Sequence, residues 1–252
     1  MQKLIVHGDG NGRKYKLMFK KLLTIILCCT TYACLSVSYV NSAPIPSKGS
    51  QMNKQEINHF FDINKFEKNR NGSEWNFTIS NGTQVRQIKE SDGYTVEMRP
   101  VNSAYVYSSG YNKKGEITIT GVRFYGNGVK KWIYFNDKQE IIKEIDNDQP
   151  YPFSIEALAE LLKDNYGINL YDPRQILVMQ RYIDTTNTHK PVYVVYAFQK
   201  NSTNKLDGLL IDGETGKVLF QMESYLRSES SVYDEYIKTT EEYKEGLYKI
   251  ED

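Results

Sequence analysis

Gly208-Leu-Leu-Ile-Asp-Gly-Glu-Thr-Gly-Lys-Val-Leu-Phe220 places two apolar runs on either side of a glycine-containing loop. Its Thr-Gly-Lys suggests a phosphate-binding loop, and the spacing argues against one. A P-loop requires Gly, four residues, then Gly-Lys-Ser/Thr, so that backbone N–H groups wrap the phosphates and a hydroxyl reaches Mg²⁺. Counting back from Gly216, the first glycine position holds Ile211, and the hydroxyl position holds Val218. Asp212 and Glu214 add charge that repels phosphate. The stretch therefore reads as a hairpin in which Asp212 and Gly213 begin a tight reversal, Gly216 supplies a positive φ, and Leu210 and Val218 pair across it.

Working outward, apolar alternation predicts further strands at 175–183, 192–198 and 206–211, with the last strand at 217–222. A helix precedes them. Ser154 is its N-cap, Phe153 and Leu158 are spaced as a hydrophobic staple, and Ile155, Leu158, Ala159, Leu162 and Tyr166 share one face before Gly167 ends it. One helix over an antiparallel sheet is an α+β arrangement.

The run Pro191-Val-Tyr-Val-Val-Tyr-Ala-Phe, a polar loop, and Leu209-Leu-Ile-Asp-Gly-Glu-Thr-Gly-Lys-Val-Leu219 together resemble the end of a PepSY-like domain, over about 153–222. The central strands are longer than in the simplest members, and the loops at 184–190 and 199–205 are polar and extended. The resemblance implies a helix-on-antiparallel-sheet module, linked in that family to protein binding and in some members to protease inhibition.

Before this module, from Glu74 to Ile145, the pattern is strand and turn with no sustained helical stripe. Strands are predicted at 75–79, 84–89, 94–98, 116–120, 122–125, 129–135 and 140–145, separated by Asn81-Gly82, Asp92-Gly93, Gly121, Gly126-Asn-Gly128 and Asn136-Asp137. The result is an antiparallel β meander. Phe124-Tyr125, Asn127-Gly128 and Tyr134 resemble one MORN-like hairpin repeat: an aromatic pair, a turn and a returning aromatic. Ahead of the meander, Asn53-Lys-Gln-Glu56 matches a capping box opening a short helix with Ile57, Phe60 and Phe61 on one face.

The N-terminal part reads as a targeting segment. Lys14, Lys16, Lys20 and Lys21 precede the apolar run from Leu22 to Val40, and Asn41-Ser42-Ala43 follow. A basic region, an apolar core and small residues mark a secretory signal peptide, and Met18 is an alternative start. An uncleaved membrane anchor and a lipoprotein acylated at Cys34 are the other readings, although Thr31 and Tyr32 fit the second poorly. All three cysteines, Cys28, Cys29 and Cys34, lie in this segment. The chain beyond it therefore excludes disulfides and thiolate chemistry, and an exported protein of that kind suits a bacterial envelope.

The expected organisation is a signal peptide at 1–42, a linker at 43–52, a short helix with the meander at 53–149, the PepSY-like module at 150–223 and an acidic tail at 224–252. In that tail Val232, Tyr236, Tyr243 and Leu247 line a helix that docks on the sheet, or the end is solvated and frayed. Removing the six basic residues and one acidic residue of 1–42 from totals of 32 and 31 leaves 26 and 30, a formal charge of −4. That disfavours a nucleic-acid partner, which needs a basic footprint.

Motifs for catalysis are sparse. His59 and His189 have no ligand motif or triad partner near them in sequence, and no Gly-x-Ser-x-Gly elbow occurs. Glu156 and Glu160 sit one helical turn apart, which suits a solvated face better than a glycosidase pair. Asp146-Asn-Asp148 and Asp212-Gly-Glu214 lack the spacing of a dedicated calcium loop. No cofactor is expected.

The unusual feature is tyrosine, 20 residues of it, with Tyr105, Tyr107, Tyr111, Tyr125, Trp132 and Tyr134 gathered in the meander. Aromatics with a polar tip suit protein interfaces. The expected function is that of an exported, periplasmic or secreted, non-catalytic binding or inhibitory protein. Examples are an immunity protein that neutralises an envelope-acting toxin, or a protease inhibitor. The competing classes are a structural envelope protein contacting the cell wall and a carboxylate-dependent envelope hydrolase.

Overall fold

Two antiparallel sheets, each a plain meander, dominate residues 58–247, the part of the chain that the computed structural model describes. The expected signal peptide, its cysteines, the linker and the capping box at 53–56 lie outside the described residues. The first sheet has seven strands in sequential order: β1 (Glu74–Thr78), β2 (Gln84–Lys89), β3 (Gly93–Arg99), β4 (Tyr105–Asn112), β5 (Ile117–Phe124), β6 (Asn127–Phe135) and β7 (Ile141–Asp146). The second has four: β8 (Ile176–Ile183), β9 (Pro191–Phe198), β10 (Lys205–Asp212) and β11 (Val218–Tyr225). The helices are few and short: α1 (Ile63–Asn69), α2 (Ile155–Tyr166), α3 (Val232–Thr239) and α4 (Glu241–Lys244).

Several differences from the sequence expectation have physical causes. The strand β4 was not expected, because Ser108-Ser109-Gly110 interrupt its apolar pattern. The two short strands expected around Gly121 are the single strand β5. The hairpin that follows turns at Tyr125-Gly126, both at positive φ (48° and 84°), not at Asn127-Gly128. Two residues at positive φ make the type of turn whose twist matches paired strands. Tyr125 pays a steric penalty there, which is offset by packing against Phe124 and by its hydroxyl donating to Leu170 O at 3.0 Å. The first described helix begins after Asp62, whose side chain accepts from Lys65 N–H. Phe60 and Phe61 precede it in extended chain, bridged to β5 and its approach through Glu116 and Gly115.

The second sheet is covered on both faces. On one, Ile155, Leu158, Ala159 and Leu162 of α2 join Tyr193, Val195, Leu209 and Ile211 in a buried cluster. Ser154 caps that helix, and Gly167 ends it in the left-handed conformation, as its sequence indicates. On the other face Val232 of α3 packs with Val192, Val194 and Leu210. The tail thus contains a docked helix, with Val232 and Ile237 buried and Leu247 exposed at 68%. Ile237 supplies the anchoring that the expected stripe assigned to Tyr243 and Leu247.

The Gly208–Phe220 stretch is a hairpin. The Asp212 carboxylate accepts from the N–H groups of Glu214 and Thr215 at 2.8 and 2.9 Å. Gly216 has φ +74°, and any Cβ there would meet the Phe153 ring. A register shift beside Leu210 opposes Ile211 to Val218 and Leu210 to Phe220, one step from the expected Leu210–Val218 pair. The polar loop after β8 is built on the same plan. Buried Asp184 accepts from the N–H groups of Thr186 and Asn187 and from the Thr188 hydroxyl, while Asn187 donates to the Tyr233 hydroxyl of α3.

The two sheets meet at the β5–β6 hairpin. The Asn127 carboxamide donates to Met179 O at 2.8 Å and accepts from Arg181 N–H at 3.1 Å, on the free edge of β8. The Arg181 guanidinium is almost fully buried. Its Nη2 donates to Gly128 O, Asn147 O and Asp148 Oδ1 at 2.6, 3.0 and 2.7 Å, and the group lies over the Tyr151 ring at 4.4 Å. Ala104, Phe124 and Val129 of the meander enter the same buried cluster as α2.

Replacing Arg181 by Ala strips three acceptors of one donor group and leaves a cavity. Urea denaturation should show a loss of about 2–4 kcal/mol, with Arg181→Lys recovering only part of it because a point charge does not reproduce the planar fork. The two loop carboxyls make stability depend on acid pH. Burial raises the proton affinity of Asp184 and Asp212, but hydrogen bonds to their carboxylates outweigh it. For Asp184 these come from Thr188, Tyr233 and Thr186, and for Asp212 from Thr215 and Glu214, with the Lys190 charge adding to them. Both groups are held below the ordinary 3.8. A group depressed in the folded chain contributes stability that is full above its unfolded value and lost as pH falls through its folded value. Stability should therefore fall below about pH 4, and Asp184→Asn should flatten that slope in acid titrations followed by circular dichroism.

Candidate binding surface

Strand register assigns each side chain of the first sheet to one of two faces, since alternate residues point to opposite sides. The inner face is packed at its two ends. At one end Tyr94, Tyr111, Ile117 and Phe135 are buried with Phe61 and Phe66, and Trp75, Val96 and Ile133 pack against them. At the other end Phe124 and Val129, with Tyr105 and Val122 beside them, pack in the cluster that contains α2.

The outer face is different in kind. Its cross-strand rows are Ile145, Trp132, Gly121, Ser108, Glu97 and Arg86; Lys143, Tyr134, Ile119, Gly110 and Thr95; and Arg123, Val106, Arg99 and Gln84. Trp132 enters its row through its contact with Gly121. Among the described residues Ile88, Ile119, Trp132, Tyr134 and Ile145 join none of the buried clusters. All five are half-buried.

Alternation sets this division, and one register shift changes it. A shift after Gly110 opposes Tyr111 to Ile117 and Gly110 to Ile119, so Ile117 goes inward and Ile119 outward although they are two residues apart. Thr118 is the extra residue, and a bulge of that kind reverses the faces on either side. On β6, Lys130 at φ 56° and its neighbours oppose Gly121. The two extra residues leave the alternation of β6 intact, so Trp132 faces outward like Tyr134 and lies flat across Gly121, where a Cβ would come within 2.4 Å of the indole. The indole N–H donates to Val122 O at 3.0 Å. Ile119 covers Gly110 in the same way, 2.7 Å from where its Cβ would be.

Charges cross the face in a ladder. Glu97 accepts from Arg123 Nη1 at 2.9 Å and lies 3.5 Å from Arg86 Nη1, while Arg86 also pairs with Glu74. The hydrogen bond from Arg86 holds the Glu74 carboxyl below the usual carboxylate range. Such exposed pairs add little stability, but they fix the long side chains in place. Arg123 and Lys143 lie 5.9 and 5.7 Å from the ring centres of Trp132 and Tyr134. Beside the ladder a groove of about 450 Å³ is lined by Arg86, Arg99, Gln84 and Thr78 among its polar residues and by Phe77, Val85 and Val106 among its apolar ones.

The six aromatic residues singled out in the sequence divide between the faces. Tyr105, Tyr107 and Tyr111 are on the inner face of β4, and Tyr125 is in the turn. Burial raises the pKa of all four phenols. Tyr111 donates to Asn58 O at 3.1 Å, and Tyr105 packs on Phe124 at 4.6 Å. Only Trp132 and Tyr134 face outward. The ladder residues Arg86, Glu97 and Arg123, together with Arg99 and Ile119, were missed. Their signal was period-two alternation, unbroken on β2 and β3 but interrupted by bulges around Ile119 and Arg123 on β5. Of the other candidates, Glu156 and Glu160 are exposed on α2 and His189 is exposed in its loop. His59 lies in extended chain against Phe135, not on a helix. Among the described residues no group of three His, Cys, Asp or Glu side chains converges as a metal site, and no helix is long and apolar enough to cross a membrane.

Comparison with protein-family models, curated proteins and solved structures returned no match.

The middle of the ladder contains one poorly satisfied group. Ser108 is 6% exposed, and its hydroxyl has no hydrogen-bond partner. Removing an unsatisfied buried hydroxyl relieves a desolvation cost. Ser108→Ala should therefore raise stability by about 0.5–1 kcal/mol in thermal or urea unfolding, whereas Ser108→Val should crowd Glu97 and lower it.

Proposed function

We propose that this chain is an exported, non-catalytic protein that binds a protein partner and blocks it by occlusion, with the outer face of the meander as the contact surface. The observation that carries this reading is the two-sidedness of the seven-stranded sheet. One face is packed in two buried clusters, and the other presents Ile119, Trp132, Tyr134 and Ile145 half-buried beside a fixed ladder of arginine and glutamate. Aromatic anchors next to arginine, on a rigid support, are what protein interfaces use for most of their binding energy. A sheet costs little to order on binding, because its strands are already paired.

Two sequence features support the rest. The basic, apolar and small-residue pattern before Pro44 favours export. The PepSY-like resemblance of the second module favours an inhibitory role, such as an immunity protein against an envelope-acting toxin or a protease inhibitor. The hydrolase alternative has less support, because Glu156 and Glu160 stand exposed on the outside of α2. A structural role at the cell wall is the remaining alternative.

Chemical cross-linking followed by affinity capture from envelope extract tests the reading. One stoichiometric protein partner is expected with the native chain, and it should be lost or reduced by about tenfold or more when Trp132 and Tyr134 are both replaced by Ala, a typical cost of removing central anchors. Retention of the partner by that variant, or sedimentation with cell wall and no partner, overturns it.

A further inference from the structure

Resting on the binding reading, we propose that the partner presents an acidic segment, with a carboxylate received beside Arg99 and an apolar side chain seated on Trp132. The outer face carries Arg86, Arg99, Arg123 and Lys143 against Glu74 and Glu97, an excess of positive charge on a chain whose formal charge beyond residue 42 is −4. Within that face the charges are unevenly engaged. Glu97 is shared by Arg86 and Arg123, and Glu74 also holds Arg86. Arg99 is exposed, lines the groove with Arg86, Gln84 and Thr78, and makes no ion pair among the described residues. A guanidinium with free donors, next to amide and hydroxyl side chains, is a receptor for a carboxylate.

The spacing defines the segment further. Arg99 lies on β3 and Trp132 on β6, three strand spacings apart and one row of two residues offset along the strands, about 16 Å between their backbone positions. An extended peptide covers that distance in about four to five residues. The expected occupant therefore has Asp or Glu about four residues from a Leu, Phe or similar side chain. A protein segment is favoured over a long polyanion because the apolar end of the site offers phosphate nothing, and because the chain's overall negative charge repels an extended polyanion.

The test uses the full chain and a fluorescent ten-residue peptide in a Gly/Ser background, with a Glu-Asp pair four residues before a Leu-Phe pair. Controls are the Gln-Asn version of the same peptide and inorganic polyphosphate. The acidic peptide should bind more tightly than its amide control, more weakly as salt rises, and about fivefold or more weakly to Arg99→Ala, with partial recovery in Arg99→Lys. Equal binding of the two peptides, or binding indifferent to Arg99, overturns the acidic-segment proposal. Polyphosphate binding more tightly than the peptide with the same Arg99 dependence also overturns it. If neither peptide binds while a captured partner still depends on Trp132 and Tyr134, the acidic segment fails and the binding face stands. If capture also fails, both readings fall.

Discussion

The carboxamide of Asn127 occupies the place of a neighbouring strand's peptide group on the free edge of the second sheet. It donates to Met179 O and accepts from Arg181 N–H, two positions apart on β8. An exposed strand edge invites further pairing, and here one side chain satisfies part of that edge while joining the sheets. The rest of the junction depends on it. With β8 held at this distance, Arg181 reaches Gly128 O and the 147–148 loop, Tyr125 reaches Leu170, and Phe124 enters the cluster under α2. Because the hairpin turns at Tyr125-Gly126, Asn127 is a strand residue and its side chain is free for this role.

That junction decides which face of the meander is buried. Once Phe124 and Val129 lie against α2, every residue in register with them is committed to the inner side, out to the strands that meet α1 and the segment before it. The bulge at Thr118 then adjusts individual positions, so that Ile117 packs inward while Ile119, like Trp132, stands outward on glycine. The surface proposed for binding is thus a consequence of how the core closes.

The two modules divide the work. The second sheet is covered on both faces, by α2 and by α3, and its polar loops are closed on Asp184 and Asp212. The first sheet is covered at both ends of one face, and its other face is open. An antiparallel sheet tolerates this arrangement well, because its alternation separates a packed face from a solvated one.

Much of the fold could be read locally. Ser154 and Gly167 mark α2 because a cap and a left-handed terminus are local chemistry. The Asp212 turn, most strand limits and the apolar stripe of α2 follow from neighbours within a few residues. Strand β4 escaped because small residues diluted its pattern, and the turn after β5 was misplaced because Asn127-Gly128 looks like a turn to any local reading. For the binding surface, the sequence determined that aromatic residues crowd the meander. Only the tertiary structure decided that Tyr105, Tyr107 and Tyr111 point inward, that Tyr125 bonds to Leu170, and that Trp132 and Tyr134 point outward beside Arg86, Glu97, Arg99 and Arg123. The physical reason is that alternation fixes which residues share a face but not which face is packed, and that a single extra residue, as at Thr118, exchanges the two. Where such residues fall is set by pairing between strands and by what each face packs against, and neither is a local property of the chain.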